Sequence, residues 1–422
     1  MTEITRRHRP SVHVVGIDGR GCAGLTSEAM HVATRAQVLA GGERHLAFFP
    51  QYTGQRVVLR GRLTDVLDEI AALAGENDVC ILASGDPLFF GVASLVLKRF
   101  GPEHVDVVPT VSSMQLAFAR AHVPWNDAAL LSLHGRPLAG IVTRLRTVAR
   151  AGVFTDELNS PSRIAAHLLE YGERDWRAIV AEDIGTADER VRRFDSLDAL
   201  ARTDDIGPLN VLVLERTDPR FAPAPSLPFL DEAEFAKKMP RAGLITKREV
   251  RALALAQLRI AQDAVVWDVG AGSGSVSVEA SFLAPRGRVF AVEVDAECAG
   301  YCRENARAHG ADSVTVVEGA APDALYDLPA PDAVFVGGTK GSMAETLAAC
   351  ASALRDGGRL VVSAITLENV AAAHAAFQDL GLEPEMTLLQ VSRGAKLARY
   401  LRYEALNPIH LFAATVDEGD GR

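Results

Sequence analysis

Cysteine is scarce in this 422-residue chain: five residues (Cys22, Cys80, Cys298, Cys302, Cys350), an odd number with no C-x-x-C pair. That excludes a disulfide framework and offers no zinc-binding spacing, so no metal is expected. Cys298 and Cys302, four apart on an expected helix, read as packing residues. No apolar run approaches the roughly 18 residues of a membrane span, and the opening MTEITRRHRPSVHVVG lacks the uninterrupted apolar stretch of an export signal. The expectation is a cytoplasmic protein with no membrane attachment. Lysine is rare as well: it occurs at 98, 237, 238, 247, 340 and 396, and the other 38 of the 44 basic residues are arginine. With a net charge of −10 and no basic tract to offset it, nucleic acid is excluded as the main partner. Arginine forks suit carboxylates, so a polycarboxylate substrate is compatible with the chain.

What is present is an ordinary globular composition, 48% hydrophobic and 23% charged, over a length that favours two or three domains. Prolines at 219, 223, 225 and 228 break any helix and favour an extended connector, which sets expected domains at 1–218 and 239–422 with a linker at 219–238. Both halves read as α/β. Strand candidates before the linker are SVHVVGI, DVCILAS, VDVVP, AGVFT and LNVLVLE. After it, VVWDVG, RVFAVEV, SVTVVEG, DAVFVGG and GRLVVSAIT alternate with alanine-rich helices. There is no internal repeat. Thr246 to Glu249 has the form of a capping box opening a helix that runs to about Ile260, and the polar tail 417–422 is expected to be disordered.

The densest signal is VVWDVGAGSGSVSVEA at 265–280, followed by RVFAVEVD. An apolar strand is ended by Asp268. Gly270, Gly272 and Gly274 then allow a tight turn and close approach of the backbone to a ligand, and a helix resumes at Ser275. Glu293, 19 positions after Gly274, is expected at the end of the next strand, where its carboxylate can accept hydrogen bonds from ribose hydroxyls. Counting from Gly270 and Gly272 puts Ser275 where a dinucleotide fingerprint needs its third glycine. The D-x-G-x-G-x-G pattern instead resembles motif I of the class I S-adenosylmethionine methyltransferases, whose cofactor has no pyrophosphate for an acidic residue to repel.

In the first half, Gly19, Gly21 and Gly24 do satisfy G-x-G-x-x-G, which keeps a nicotinamide-dependent oxidoreductase as the rival reading, although no acidic residue ends the next strand. A second signal, SGDPLFFG from Ser84, puts a turn and a carboxylate at the C-terminal end of a strand, the usual ligand edge of an open sheet. Together with VPTVSSMQLAFA at 108 and LSLHGRP at 131, these segments resemble the tetrapyrrole methylases. ITKREVRALAL, the glycine motif, EGAAPDAL, PDAVFVGG, GGRLVVSAITLEN and LNPIHLF resemble decarboxylating precorrin methyltransferases. The order of the two halves is similar to the fused, bifunctional precorrin methyltransferases of cobalamin biosynthesis. The first loop departs from the family, with Asp18-Gly19-Arg20-Gly21-Cys22 where a proline-containing turn is commoner.

The resemblance implies a tetrapyrrole-methylase α/β domain joined to a Rossmann-like class I methyltransferase domain, each with its own S-adenosylmethionine site. It implies methylation of meso carbons 5 and 15 of a reduced tetrapyrrole, with loss of carbon dioxide from the acetate on carbon 12. Ser84, Gly85, Asp86, Phe89, Ser112 and Ser113 would hold the first cofactor. Gly270, Ala271, Gly272, Ser273, Gly274, Glu293, Gly319, Ala320 and Thr246 would hold the second. His134 and Arg136 in the first half, and Lys340, Glu368 and Arg393 in the second, are the candidates for contact with substrate. A homo-oligomer is the expected assembly.

Overall fold

The computed structural model describes residues 11–225, 227–238 and 245–417; the opening segment 1–10 and the tail beyond 417 lie outside the described residues. The chain divides into two compact units. Unit 1 comprises 1–136, 150–165 and 175–219, and unit 2 comprises 137–149, 166–174 and 220–422.

Unit 1 holds two five-stranded sheets. The first contains β1 (Val12–Ile17), β2 (Val38–Gly41), β3 (Gln55–Val58), β4 (Val79–Ser84) and β5 (Val105–Val108) in the order β3-β2-β4-β1-β5, all parallel. Its central strands β1 and β4 are apolar on both sides because both faces are covered: Val12, Val14 and Ile81 pack in one core, Val15, Ile17 and Leu82 in another. The second sheet contains β6 (Ala129–Ser132), β7 (Arg150–Phe154), β8 (Trp176–Glu182), β9 (Arg190–Phe194) and β10 (Asn210–Arg216) in the order β6-β7-β10-β8-β9. It is parallel only between β6 and β7.

In unit 2 the strands are β11 (Val265–Val269), β12 (Arg288–Glu293), β13 (Val314–Glu318), β14 (Ala333–Val336), β15 (Gly358–Ala364), β16 (Glu385–Leu389), β17 (Ser392–Leu397), β18 (Tyr400–Ala405) and β19 (Ile409–Val416). Seven form one sheet, β13-β12-β11-β14-β15-β19-β16, of which the first five are parallel and β19 runs against β15 and β16. Alternate residues of β11 feed opposite cores: Val265, Trp267 and Val269 on one face, Val266 on the other. This is the Rossmann-like sheet that the resemblance implies. β17 and β18 form a separate hairpin.

Two features differ from the sequence reading. Asp268 does not end its strand but lies inside β11, fully buried. The capping box at Thr246 does not form: the helix Arg248–Leu258 starts from Lys247 without a side-chain cap of its own, and the carboxylate of Glu232 accepts from the Arg248 amide at 2.7 Å instead. Glu249 is drawn elsewhere, onto Arg393.

Unit 2 is not contiguous in sequence, and Asp312 shows what binds its pieces. This fully buried carboxylate accepts from the backbone N–H groups of Gly140 (2.8 Å), Val142 (3.0 Å) and Thr143 (3.1 Å) and from the Thr143 hydroxyl (3.0 Å), and pairs with His167 Nε2 at 3.0 Å. It acts as a remote N-cap for the short helix Ile141–Leu145, satisfying amides that have no partner within that helix. A second buried group ties the proline-rich segment down: Arg251 donates to Glu279, to the Thr246 carbonyl (2.9 Å) and to the Leu230 carbonyl, while the Leu230 amide donates to Glu279 at 2.7 Å.

Candidate functional site

Ligand edges follow from strand direction. Every parallel strand of an open sheet ends on the same side, so the loops that follow them gather there.

In unit 1 that edge opens into a cavity of about 920 Å³ lined from both sheets. Ser84, Gly85, Asp86, Phe89, Ser112, Ser113, His134 and Arg136 all line it, although they are scattered over more than fifty positions of chain. The approach of these loops requires glycine. Gly85 has φ +61°, and a Cβ on it would lie 2.9 Å from Ser112 Cα; a Cβ on Gly16 in β1 would lie 2.0 Å from the Gly85 carbonyl oxygen. Asp86 folds its loop by accepting from the Leu88 amide at 2.9 Å. The Ser112 hydroxyl accepts from the Gln115 amide at 3.2 Å and Gln115 answers on the Ser112 amide, a capping box that occupies this side chain. Phe89, Phe90 and Phe154 meet edge to face along the wall, and the Arg136 guanidinium lies 5.6 Å from the Phe90 ring centre. The G-x-G-x-x-G match does not form a dinucleotide grip. Gly21–Gly24 is a turn of 3₁₀ helix, the α-helix begins only at Ser27 with Thr26 as its cap, and Asp18 is engaged by Arg20.

Missed in the sequence was His45, which also lines the cavity. Its Nε2 lies 3.0 Å from Ser84 Oγ, and its Nδ1 is buried without a hydrogen-bond partner. Burial, helped by the charge of Arg44, pushes its pKa down to about 4. The available signal was its place just after β2, in the short helix Glu43–Ala47, a stretch searched only for an acid.

In unit 2 the five parallel strands bring the other candidates to one edge. The glycine loop follows β11, Glu293 ends β12, Gly319 and Ala320 follow β13, Lys340 follows β14 and Glu368 follows β15. Gly270, Gly272 and Gly274 have φ of +72°, +57° and +78°. A Cβ at Gly270 would lie 2.2 Å from the Gly338 carbonyl oxygen, and one at Gly274 would lie 2.3 Å from Cys302 Sγ. Glu293 holds the loop open, accepting from the Gly272 amide (2.8 Å) and the Asp295 amide (2.9 Å). Each carboxylate oxygen keeps a second acceptor site. Ser273 Oγ is buried without a partner, a polar atom that a ligand in the loop would satisfy. Asp268 accepts from the Ser277 amide and hydroxyl, fixing the first turn of the helix Ser275–Leu283. Burial raises its pKa to about 7 against those two hydrogen bonds.

The Gly319 amide donates to the Glu293 carbonyl at 3.0 Å, and the Ala320 carbonyl accepts from Ala324. Lys340 is exposed and held in the left-handed region at φ +49°. Glu368 is exposed in the first turn of the helix Leu367–Asp379. Thr246 lies just before its helix with its carbonyl held by Arg251. Arg393 lies apart from the loops that follow the parallel strands. It sits in β17 with its guanidinium forked onto Glu232 (2.7 and 2.9 Å) and Glu249 (2.9 Å), which holds Glu232 down to about 2.

A glycine loop on a Rossmann-like sheet, with an acid ending the next strand and no pyrophosphate grip, defines a methyltransferase that uses S-adenosylmethionine. The comparisons narrow this. The profile of tetrapyrrole (corrin/porphyrin) methylases matches residues 11–200, and that of a precorrin methyltransferase domain matches 238–416. A precorrin-6Y C5,15-methyltransferase (decarboxylating) of Sinorhizobium is 38% identical over 85% of this chain and 86% of its own length. Two shorter relatives cover less. A "Probable cobalt-precorrin-6B C(15)-methyltransferase (decarboxylating)" of Pyrobaculum calidifontis is 41% identical over 40% of this chain and 88% of itself. A cobalt-precorrin-7 C5-methyltransferase of Salmonella typhimurium is 34% identical over 42% of this chain and 87% of itself. The chain belongs to the precorrin-6Y C5,15-methyltransferase (decarboxylating) family.

Proposed function

We propose that the family's reaction, S-adenosylmethionine-dependent methylation of precorrin-6Y with decarboxylation in cobalamin biosynthesis, is divided between the two strand edges. Carbon 5 is methylated in the unit 1 cavity; carbon 15 is methylated, and the carbon-12 acetate decarboxylated to give precorrin-8X, at the unit 2 edge. The observation that carries this reading is that one chain builds two separate ligand edges, each crossed by glycines that a Cβ would block. The division along the chain follows, with carbon-5 chemistry in 1–218 and the rest in 239–422.

S-adenosylmethionine supplies an electrophilic methyl group on a sulfonium. Around it the residues present have three tasks. The Gly85 and Gly270–Gly274 loops bring backbone against the ligand, Ser273 offers its unpartnered hydroxyl, and Glu293 offers its remaining acceptor sites. Asp86 and Glu293 bring negative charge towards the cation. The Phe89, Phe90 and Phe154 wall accepts the flat macrocycle and displaces water, so that alignment rather than acid–base activation provides most of the rate. Arg136 and His134 at the first edge, and Lys340 at the second, meet substrate carboxylates. Exposed Ile365 and Leu367, beside Glu368, offer the second edge an apolar seat for the ring. During decarboxylation the conjugated macrocycle takes up the electron pair.

Full-length protein with precorrin-6Y and excess S-adenosylmethionine should give a product heavier by two CH2 and lighter by one CO2, and should bind two equivalents of S-adenosylhomocysteine. Mass spectrometry and calorimetry read these directly; a single equivalent bound with both methyl groups still transferred would remove the two-site division.

We also place the protein in the cytoplasm, consistent with the absence, among the described residues, of a helix long and apolar enough to cross a membrane. Self-association is supported by the β17–β18 hairpin, where Leu401 and Tyr403 are exposed on one face and Leu397 and Tyr400 on the other. Sedimentation velocity should find an assembly larger than one chain, and replacing Leu401 and Tyr403 with serine should dissociate it. A monomer throughout would exclude this.

A further inference from the structure

Replacing a meso C–H by C–CH3 leaves one proton to dispose of. The new C–C bond forms as the S–CH3 bond breaks, the ring is left with a positive charge, and the C–H electron pair returns to the macrocycle only when that proton departs. The acceptor must sit in the cavity, must be basic enough for an acidic C–H on a cationic ring, and must not be positively charged beside a sulfonium.

Asp18, Asp86, Asp156, Glu157 and Asp183 border the unit 1 cavity, and the first three have carboxylate oxygens engaged in shaping it. Asp18 is held by Arg20, Asp86 by the Leu88 amide, and Asp156 by the amides of Gly135 and Asn159. His45 differs. It lines the cavity, its ring's only hydrogen bond among the described residues is to Ser84 Oγ at 3.0 Å, and Ser84 stands exposed at the end of β4 beside Gly85. Its Nδ1 is buried with no carboxylate behind it, so nothing favours the imidazolium before reaction. The ring therefore waits as a neutral base in a site shaped for a cation, which is consistent with its depressed pKa.

We propose that His45 Nε2 is the proton acceptor for the methylation carried out in the unit 1 cavity, with the Ser84 hydroxyl relaying the proton from the meso carbon. The methyl group goes from sulfur to carbon and the proton goes from that carbon through Ser84 Oγ to Nε2; the thioether leaves neutral, and the imidazolium later releases its proton to solvent. This rests on the assignment of carbon 5 to this cavity.

The test uses full-length His45→Ala and Ser84→Ala, with substrate carrying protium or deuterium at carbon 5. In His45→Ala, carbon-5 methylation should fall about 100-fold or more, and a primary deuterium effect should appear that is small or absent in the parent. S-adenosylhomocysteine should bind the cavity within twofold of the parent. Carbon dioxide release should stay within twofold, so that a product one CH2 heavier and one CO2 lighter accumulates. Ser84→Ala should slow the same step with the same isotope effect. If His45→Ala does not fold, His45→Gln, which keeps a hydrogen bond to Ser84 but is not basic, takes its place. Carbon-5 methylation within threefold of the parent, or a slow reaction without an isotope effect, would overturn the proposal. A parent protein that adds only one methyl group would instead overturn the assignment of carbon 5.

Discussion

Asp312→Ala is expected to destabilise unit 2 by about 3–5 kcal/mol, the range for leaving buried polar groups without their charged partner. Three backbone amides, one hydroxyl and one imidazole share that carboxylate, and the side chain has no exposure through which water could replace it. Asp312→Asn should recover less than half of the loss. Both carboxylate oxygens face N–H or O–H donors, so an amide must turn its NH2 onto some of them. Urea unfolding gives the energy, and hydrogen exchange locates it, since the amides of Gly140, Val142 and Thr143 should lose protection before the strands of the large sheet. Unchanged protection at those three amides would mean that Asp312 does not hold this segment.

Gly270→Ala should abolish the unit 2 site while leaving the unit 1 cavity intact. The added methyl would stand 2.2 Å from the Gly338 carbonyl oxygen and 2.8 Å from its nitrogen, with φ at +72°. Both neighbours are backbone, so neither can swing aside as a side chain would, and an L-residue in the left-handed region costs a further ~1–2 kcal/mol. The Gly270 and Ala271 amides bond to the Val292 carbonyl, so any shift drags the loop off β12 and away from Glu293. Binding of S-adenosylhomocysteine should drop from two equivalents to one, and release of labelled carbon dioxide should fall at least about 100-fold, consistent with loss of positioning. Full carbon dioxide release with one equivalent bound would move the decarboxylation to the other edge.

The second half was the more legible because its chemistry follows strand order. Five parallel strands with continuous apolar runs announce themselves, and in such a sheet each loop after a strand must reach the same edge. Gly270, Glu293, Gly319, Lys340 and Glu368 could therefore be gathered without coordinates. The antiparallel β16 to β19 were not read. β17 and β18 are largely exposed, so their sequences carry no alternation between buried and polar positions, and the partners of Arg393, Glu232 and Glu249, lie some 150 positions away, beyond the reach of any local pattern. In the first half β2, β3, β6, β8 and β9 went unread for related reasons: short length, or an AIVA run that fits a helix equally well. His45 was overlooked because a catalytic imidazole leaves no spacing signature when its partner arrives from another strand.

The Asp312 cap also sets a clock. Thr143 and the carboxylate that holds it are 169 positions apart, and at about 5–20 residues per second of synthesis the interval between them is roughly 10–30 s. Throughout that time Ile141, Val142 and Leu145, fully buried in the finished protein, emerge from the ribosome without the partner that caps their helix. Unit 1 is complete in sequence by residue 219, but the segment it encloses must wait, unsatisfied, for a turn not yet made, the one that leads into β13. A pause in translation just before residue 312 would prolong that wait, and a chaperone with affinity for short apolar helices would find this stretch its natural client.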